Sequence, residues 1–159
     1  MNNLARLTIV IVTYKTDNTI LRNCLNSIDK NVQIKIIENS HKIENQTFLI
    51  DKKDNLSTHY TGKNLGYGAG NNYGFSLVNT DYVIVANPDI IFHKTFFENI
   101  KKYLDSDLNF TIIGSTYNQD KSYSSSGLFK ENDKKIYKND IKSFSGSLFD
   151  TLTKVDWVT

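Results

Sequence analysis

Half of the chain's eight glycines and its only proline fall in two short segments, Asn64-Leu-Gly-Tyr-Gly-Ala-Gly-Asn-Asn-Tyr-Gly74 and Asn87-Pro88-Asp89. Glycine tolerates positive φ and lets a backbone come close to a ligand, so Gly66, Gly68, Gly70 and Gly74 point to a tight loop running into a helix. Between the two segments, Tyr82 to Ala86 is apolar and β-branched enough for a buried strand. Asn87-Pro88-Asp89 then stands at that strand's C-terminal edge, where open α/β sheets bind their ligands.

The elements that must hold these residues can be followed along the chain. Leu7 to Tyr14 (LTIVIVTY) is apolar on both faces, as in a strand of a parallel sheet covered by helices. Thr16, Asp17 and Asn18 supply an N-cap for an amphipathic helix to about Asp29, and Gln33 to Ile37 is a second strand, completing a βαβ unit. Phe48 to Ile50 and Ser57 to Tyr60 are weaker strand candidates, and a helix is expected from the glycines through about Asn79. A further helix, Lys94 to Leu104, carries Phe96, Phe97, Ile100 and Leu104 on one face, and Phe110 to Gly114 reads as a strand. This alternation predicts an α/β sandwich. From Asn118 to Ser147 the composition turns to Ser, Lys, Asp and Asn, which predicts a mobile loop region with a few strand residues at Gly127-Leu-Phe129 and Ile136-Tyr137.

The bulk properties narrow the class. With 159 residues, 39% of them hydrophobic and 23% charged, the expectation is one soluble globular domain spanning 1–159. A net charge of +2 does not favour nucleic acid, while the Lys-rich second half suits peripheral contact with an anionic membrane. No leader-like segment and no run near the roughly 18 apolar residues of a membrane span is found, so a cytoplasmic location is expected. Cys24, the single cysteine, shares helical spacing with Leu21, Leu25 and Ile28 and reads as core. A Walker loop is absent, and a GxGxxG fingerprint does not follow the first strand. His41, His59 and His93 are too dispersed for zinc, and there is no G-x-S-x-G elbow.

Four motifs in order, Leu7-Thr-Ile-Val-Ile-Val-Thr-Tyr14, Ile37-Glu-Asn-Ser40, the glycine segment and Asn87-Pro-Asp89, carry a resemblance to family 2 glycosyltransferases over nearly all of residues 5–115. The resemblance is nearest to the rhamnosyltransferase-like branch. It implies a GT-A fold, a Rossmann-like α/β/α sandwich with a mostly parallel central sheet, which binds a nucleoside-diphosphate sugar and a divalent metal and transfers the sugar with inversion. By this resemblance Thr13 and Tyr14 line the base and ribose. Glu38 stands where the family has Asp, as acceptor of a hydrogen bond from a pyrimidine, and Asn39 follows it. Lys63, Asn64, Gly66, Gly70, Asn71 and Asn72 lie near the donor diphosphate and sugar, where free N–H groups favour anions. Asp89 is the expected ligand of Mg²⁺ or Mn²⁺, because a hard cation bridging two phosphates requires a carboxylate oxygen. Asn87 replaces the first acid of the usual Asp-x-Asp pattern and joins the donor site, so metal affinity without nucleotide should be low.

The implied partners are a UDP- or dTDP-sugar, with dTDP-rhamnose the donor suggested by the branch, and a glycan or lipid-linked saccharide acceptor at the inner face of a membrane. A homodimer through a sheet edge is a further expectation. In the family the general base lies downstream of the later strands, and Val155-Asp-Trp-Val-Thr159 resembles the segment before it. The sandwich is therefore expected to be incomplete at the C-terminus, with the base beyond Thr159 and donor binding accompanied by little transfer. Asp150 and Asp156 have no matching motif around them. Two other readings stay open: a non-catalytic module that uses the nucleotide-sugar pocket for interaction, and a sugar nucleotidyltransferase. The latter requires a glycine-rich basic loop after the first strand, which Thr13-Tyr-Lys-Thr-Asp17 does not supply.

Overall fold

Seven consecutive apolar or β-branched residues form β1 (Leu7–Thr13), and every one is buried. Burial on both faces requires strands at both edges and helices above and below. The structure, a computed structural model that describes residues 3–40 and 53–104 and the strand segments 116–119, 122–125, 128–129 and 157–158, supplies both. Strands β2 (Gln33–Glu38), β3 (Leu56–Tyr60) and β4 (Tyr82–Ala86) join β1 in a four-stranded sheet of order β3-β2-β1-β4, with every pair parallel.

One face of the sheet packs against α1 (Asn18–Asn26) and α3 (Phe96–Leu104). Leu21, Cys24, Leu25 and Phe97 meet Ile9, Ile11, Ile34 and Ile36 there. Asp17 caps α1 by accepting from the amides of Thr19 at 2.8 Å and Ile20 at 3.1 Å. The helix stops three residues short of the expected Asp29, because the Ser27 amide and hydroxyl both turn back to the Cys24 carbonyl. On the other face, α2 (Tyr67–Ser76) and the residues just after it, Leu77 and Val78, cover Val10, Val12 and Ile37. The result is the Rossmann-like α/β/α layering of a GT-A fold, with a mixed α/β composition and a parallel core sheet.

Two expectations are revised in this half. Gly68, Gly70 and Gly74 are helical residues of α2, and of the motif's glycines only Gly66, at φ 81°, adopts a turn conformation. The reason is packing. A Cβ on Gly74 would overlap Val10 Cγ1, and one on Gly70 would stand 3.0 Å from Val12 Cγ1, so bare helix backbone lies directly on β1. Strand β4 is buried on one face only: Ala86 is enclosed, whereas Val83 and Val85 are 42% and 45% exposed. Among the described residues β4 ends the sheet.

The chain divides into two compact units, Met1–Ser106 and Asp107–Thr159. In the second, β5 (Thr116–Gln119) and β6 (Ser122–Ser125) pair antiparallel, and so do β7 (Leu128–Phe129) and β8 (Trp157–Val158). Thr and Tyr among polar neighbours are adequate strand formers, so the polar composition that suggested a loop conceals a hairpin. The candidate strands Phe48–Ile50 and Phe110–Gly114, the pair Ile136-Tyr137, and His41 lie outside the described residues. Among the described residues no helix is long and apolar enough to cross a membrane.

Candidate functional site

From β1 the chain steps outward to β2 and β3, then returns to pair β4 with the opposite edge of β1. This reversal opens a crevice beyond the C-terminal ends of the strands, the general ligand position in open α/β sheets. Thr13, Glu38 and Tyr60 end β1, β2 and β3 at one level, and Asn87 to Asp89 follow the end of β4.

At the first corner the Thr13 hydroxyl donates to Glu38 Oε2 at 2.7 Å, and both residues are buried. Among the described residues no cation pairs with Glu38. An ionised carboxylate withdrawn from water needs hydrogen-bond donors, and Thr13 occupies only one of the two oxygens. The neighbouring Tyr60 hydroxyl is buried without a partner among the described residues. Burial, and then the Glu38 charge, push this phenol up from its ordinary value, so it stays neutral.

Asn39 joins this corner to the glycine segment. Its amide donates to the Thr13 carbonyl at 2.8 Å, and its side-chain Nδ2 donates to Asn64 Oδ1 at 3.1 Å and the Gly66 carbonyl at 3.2 Å. Its Oδ1 accepts from the Leu65 amide at 2.9 Å, with the Thr61 hydroxyl 3.1 Å away. Gly66 caps α2 with no side chain, so among the described residues no side chain caps the first amides of that helix. Asn71 is buried; its Nδ2 donates to the Tyr67 carbonyl at 3.0 Å, and its Oδ1 has no partner among the described residues. Lys63 and Asn72 are exposed. So is Tyr14, beside Lys15, whose ammonium stands 5.5 Å from the ring centroid.

The second corner is held from both helical layers. The Tyr67 hydroxyl at the start of α2 donates to Asn87 Oδ1 at 3.0 Å, while the Cys24 thiol of α1 approaches the Asn87 carbonyl at 3.8 Å. Asp89 is exposed just beyond. Burial, and then the Asp89 charge, push the Cys24 thiol up to about 11, so it stays protonated, as its core position implies. The other described histidines stand apart: His59 lies against Ser57 at 3.1 Å, and His93 against Thr95 at 2.9 Å.

The donor set can be tested against a divalent metal. No group of three His, Cys, Asp or Glu side chains converges among the described residues. Asp89 offers a single exposed carboxylate, and the Asn87 oxygen is already taken by Tyr67. A lone carboxylate fits Mg²⁺ or Mn²⁺ of the kind shared with a bound diphosphate, since Mg²⁺ in nucleotide sites uses one or two carboxylates plus substrate phosphates.

Of the residues singled out in the sequence, Thr13, Glu38, Asn39, Asn64 and Gly66 form one hydrogen-bonded group, and Asn87 is tied to the start of α2. Tyr67 and Thr61 were not anticipated. Tyr67 sits between two motif glycines, but its partner lies twenty positions away, and nothing local marks Thr61.

The family model described as Glycosyl transferase family 2 matches residues 8–152. The chain belongs to glycosyltransferase family 2. Among solved structures, this family 2 chain is similar to the crystal structure of S. aureus TarS 1-349, with TM-score 0.54 and 18% sequence identity. The similarity covers 62% of this chain and 32% of that one, so the family 2 chain spans about a third of the solved TarS 1-349 chain, and at this identity it shows the GT-A fold alone. No curated protein sequence matches the chain.

Proposed function

We propose that the crevice binds a pyrimidine nucleoside-diphosphate sugar, UDP- or dTDP-linked, as donor for transfer to a saccharide acceptor with inversion. The observation that carries this reading is the Glu38 carboxylate, buried at the end of β2, held by Thr13 through one oxygen and unpaired with any cation among the described residues. The imide N–H of uracil or thymine is a ligand donor suited to the second oxygen, whereas the corresponding ring nitrogen of cytosine is an acceptor. Tyr14 is the exposed aromatic surface for the base. The uncapped start of α2 and Lys63 suit the diphosphate.

A divalent cation held at Asp89 would neutralise charge on the departing diphosphate. In an inverting transfer an acceptor hydroxyl oxygen bonds to the anomeric carbon while the bond to the diphosphate breaks on the opposite face, and the hydroxyl proton passes to a base. The chain's own part in this reading is to hold the base at Glu38, the diphosphate at α2 and the leaving end near Asp89. Asn87 in place of an acid, as in the rhamnosyltransferase-like branch, supports a dTDP-rhamnose donor as the specific form.

The test is a calorimetric and thermal-shift panel of UDP, dTDP, GDP and ADP with and without Mn²⁺. UDP or dTDP should stabilise the protein, by about 2.7 kcal/mol at a hundredfold excess over Kd, and GDP and ADP should not. Equal binding of purine and pyrimidine nucleotides would overturn the reading.

A further inference from the structure

We infer that Asn39 does not touch the donor but is the positioning residue that locks the segment before α2 into its binding shape, an inference that rests on the donor reading above. A carboxamide has two hydrogens to donate and one oxygen that accepts. Both Asn39 Nδ2 hydrogens are used, on Asn64 Oδ1 and the Gly66 carbonyl, and Oδ1 takes the Leu65 amide. The residue is 1% exposed, which leaves no face for a ligand.

The partners show what is being held. Leu65, Gly66 and Asn64 are the residues through which the chain turns into α2, and Gly66 makes that turn at φ 81°. Asn64 Oδ1 also accepts from the Gly66 amide at 2.8 Å, closing a local ring that Asn39 anchors to the sheet. The Thr61 hydroxyl has one proton and three acceptors within reach, the nearest being the Lys63 carbonyl at 2.7 Å, so it braces the same turn. Thr13, equally buried, donates its hydroxyl to Glu38 and accepts the Asn39 backbone amide at its carbonyl. Asn39 thus connects the base corner to the helix start that faces the phosphates. Its removal leaves the Leu65 amide without its acceptor and frees the direction of the first α2 amides, while the Glu38 carboxylate keeps its own donor.

The consequence is a split between the two ends of one ligand. Asn39→Ala should lower affinity for UDP by about tenfold or more, the scale of one or two buried hydrogen bonds, while affinity for uridine changes less than about threefold. Amide exchange at Leu65 and Gly66 should quicken about tenfold with Ile11 in β1 still protected. Equal loss for uridine and UDP, or no change in Leu65 exchange, would overturn the inference.

Should Asn39→Ala fail to fold, the wild-type protein still decides the matter. The Asn39 side-chain NH₂ resonances should exchange slowly and show no nuclear Overhauser contact with bound UDP, and such a contact would refute the positioning role. Wild-type protein that binds neither uridine nor UDP would refute the donor reading alone, with Leu65 exchange in Asn39→Ala still judging the hold on the turn.

Discussion

At the Thr13, Glu38 and Asn39 corner the polar side chains are buried and hydrogen-bonded within the protein, whereas at the Asn87 to Asp89 rim they are exposed and, among the described residues, Asp89 has no ion pair. The contrast follows from the sheet. The first corner joins two central strands with neighbours on both sides, so its polar groups must find partners within the protein. The rim follows β4, which among the described residues is an edge strand of the sheet, and water can serve what the protein does not. A buried corner arrives preorganised, while an exposed one is completed by what binds. Recognition of the base should then be intrinsic to the fold, and the phosphate end should depend on added metal.

The contrast breaks most sharply through paired substitutions. Glu38→Ala should weaken nucleotide binding by roughly 10- to 100-fold whether or not Mn²⁺ is present, the size of a hydrogen bond to a charged group. Asp89→Ala should leave metal-free binding unchanged and erase only the gain that Mn²⁺ brings. Titrations of both variants with UDP, with and without Mn²⁺, check this. A metal-dependent loss at Glu38, or a metal-independent one at Asp89, would mean that the two corners do not divide the work in this way.

The same opposition of filled and open space runs along α2. Gly74→Ala gains about 1 kcal/mol of helix propensity but must push into Val10, which is fully buried, stiff at χ1 and hemmed by Ile37 Cγ1 at 3.1 Å from the new methyl. Overpacking of this kind costs about 1–3 kcal/mol, so a net loss of stability is expected. Gly68 has nothing within 4 Å of a built Cβ, and Gly68→Ala should instead stabilise by about 0.5–1 kcal/mol. Urea midpoints of the two variants should move in opposite directions. Movement in the same direction would mean that α2 is not seated on β1 through its glycines.

These glycines also show where the sequence was legible. Strands β1, β2 and β4 were readable because β-branched apolar runs have few alternatives; the C-terminal edge of β4 brought Asp89 forward beside a glycine segment, whereas Glu38 came forward only through the family resemblance. Glycine disfavours helix by local propensity, so Gly68, Gly70 and Gly74 looked like loop, and the close approach to Val10 and Val12 that reverses this depends on a face of β1 not specified locally. The bonds from Tyr67 to Asn87 and from Asn39 to Leu65 link residues twenty or more positions apart and exist only once strand register is set. The pairing of β5 with β6 was hidden for a different reason, since polar strands carry no strong alternation.

Cys24 bears on how α1 supports the rim. Its thiol is raised from its ordinary value near 9 to about 11 by burial and then by Asp89. A raised folded-state value means that the native protein holds the proton more tightly than the unfolded chain does. The stability this contributes is fully present below pH 9 and is lost as pH rises toward 11. Lysines and tyrosines titrate in the same window, so the measurement is the difference in unfolding free energy between wild-type protein and Cys24→Ala at pH 8 and again near pH 10.5. Wild type should lose ground relative to the variant, and Asp89→Ala should make that loss smaller by removing the nearby negative charge. A pH-independent difference would mean that the thiol is not enclosed beneath Asn87, and the rim would then lack its support from α1.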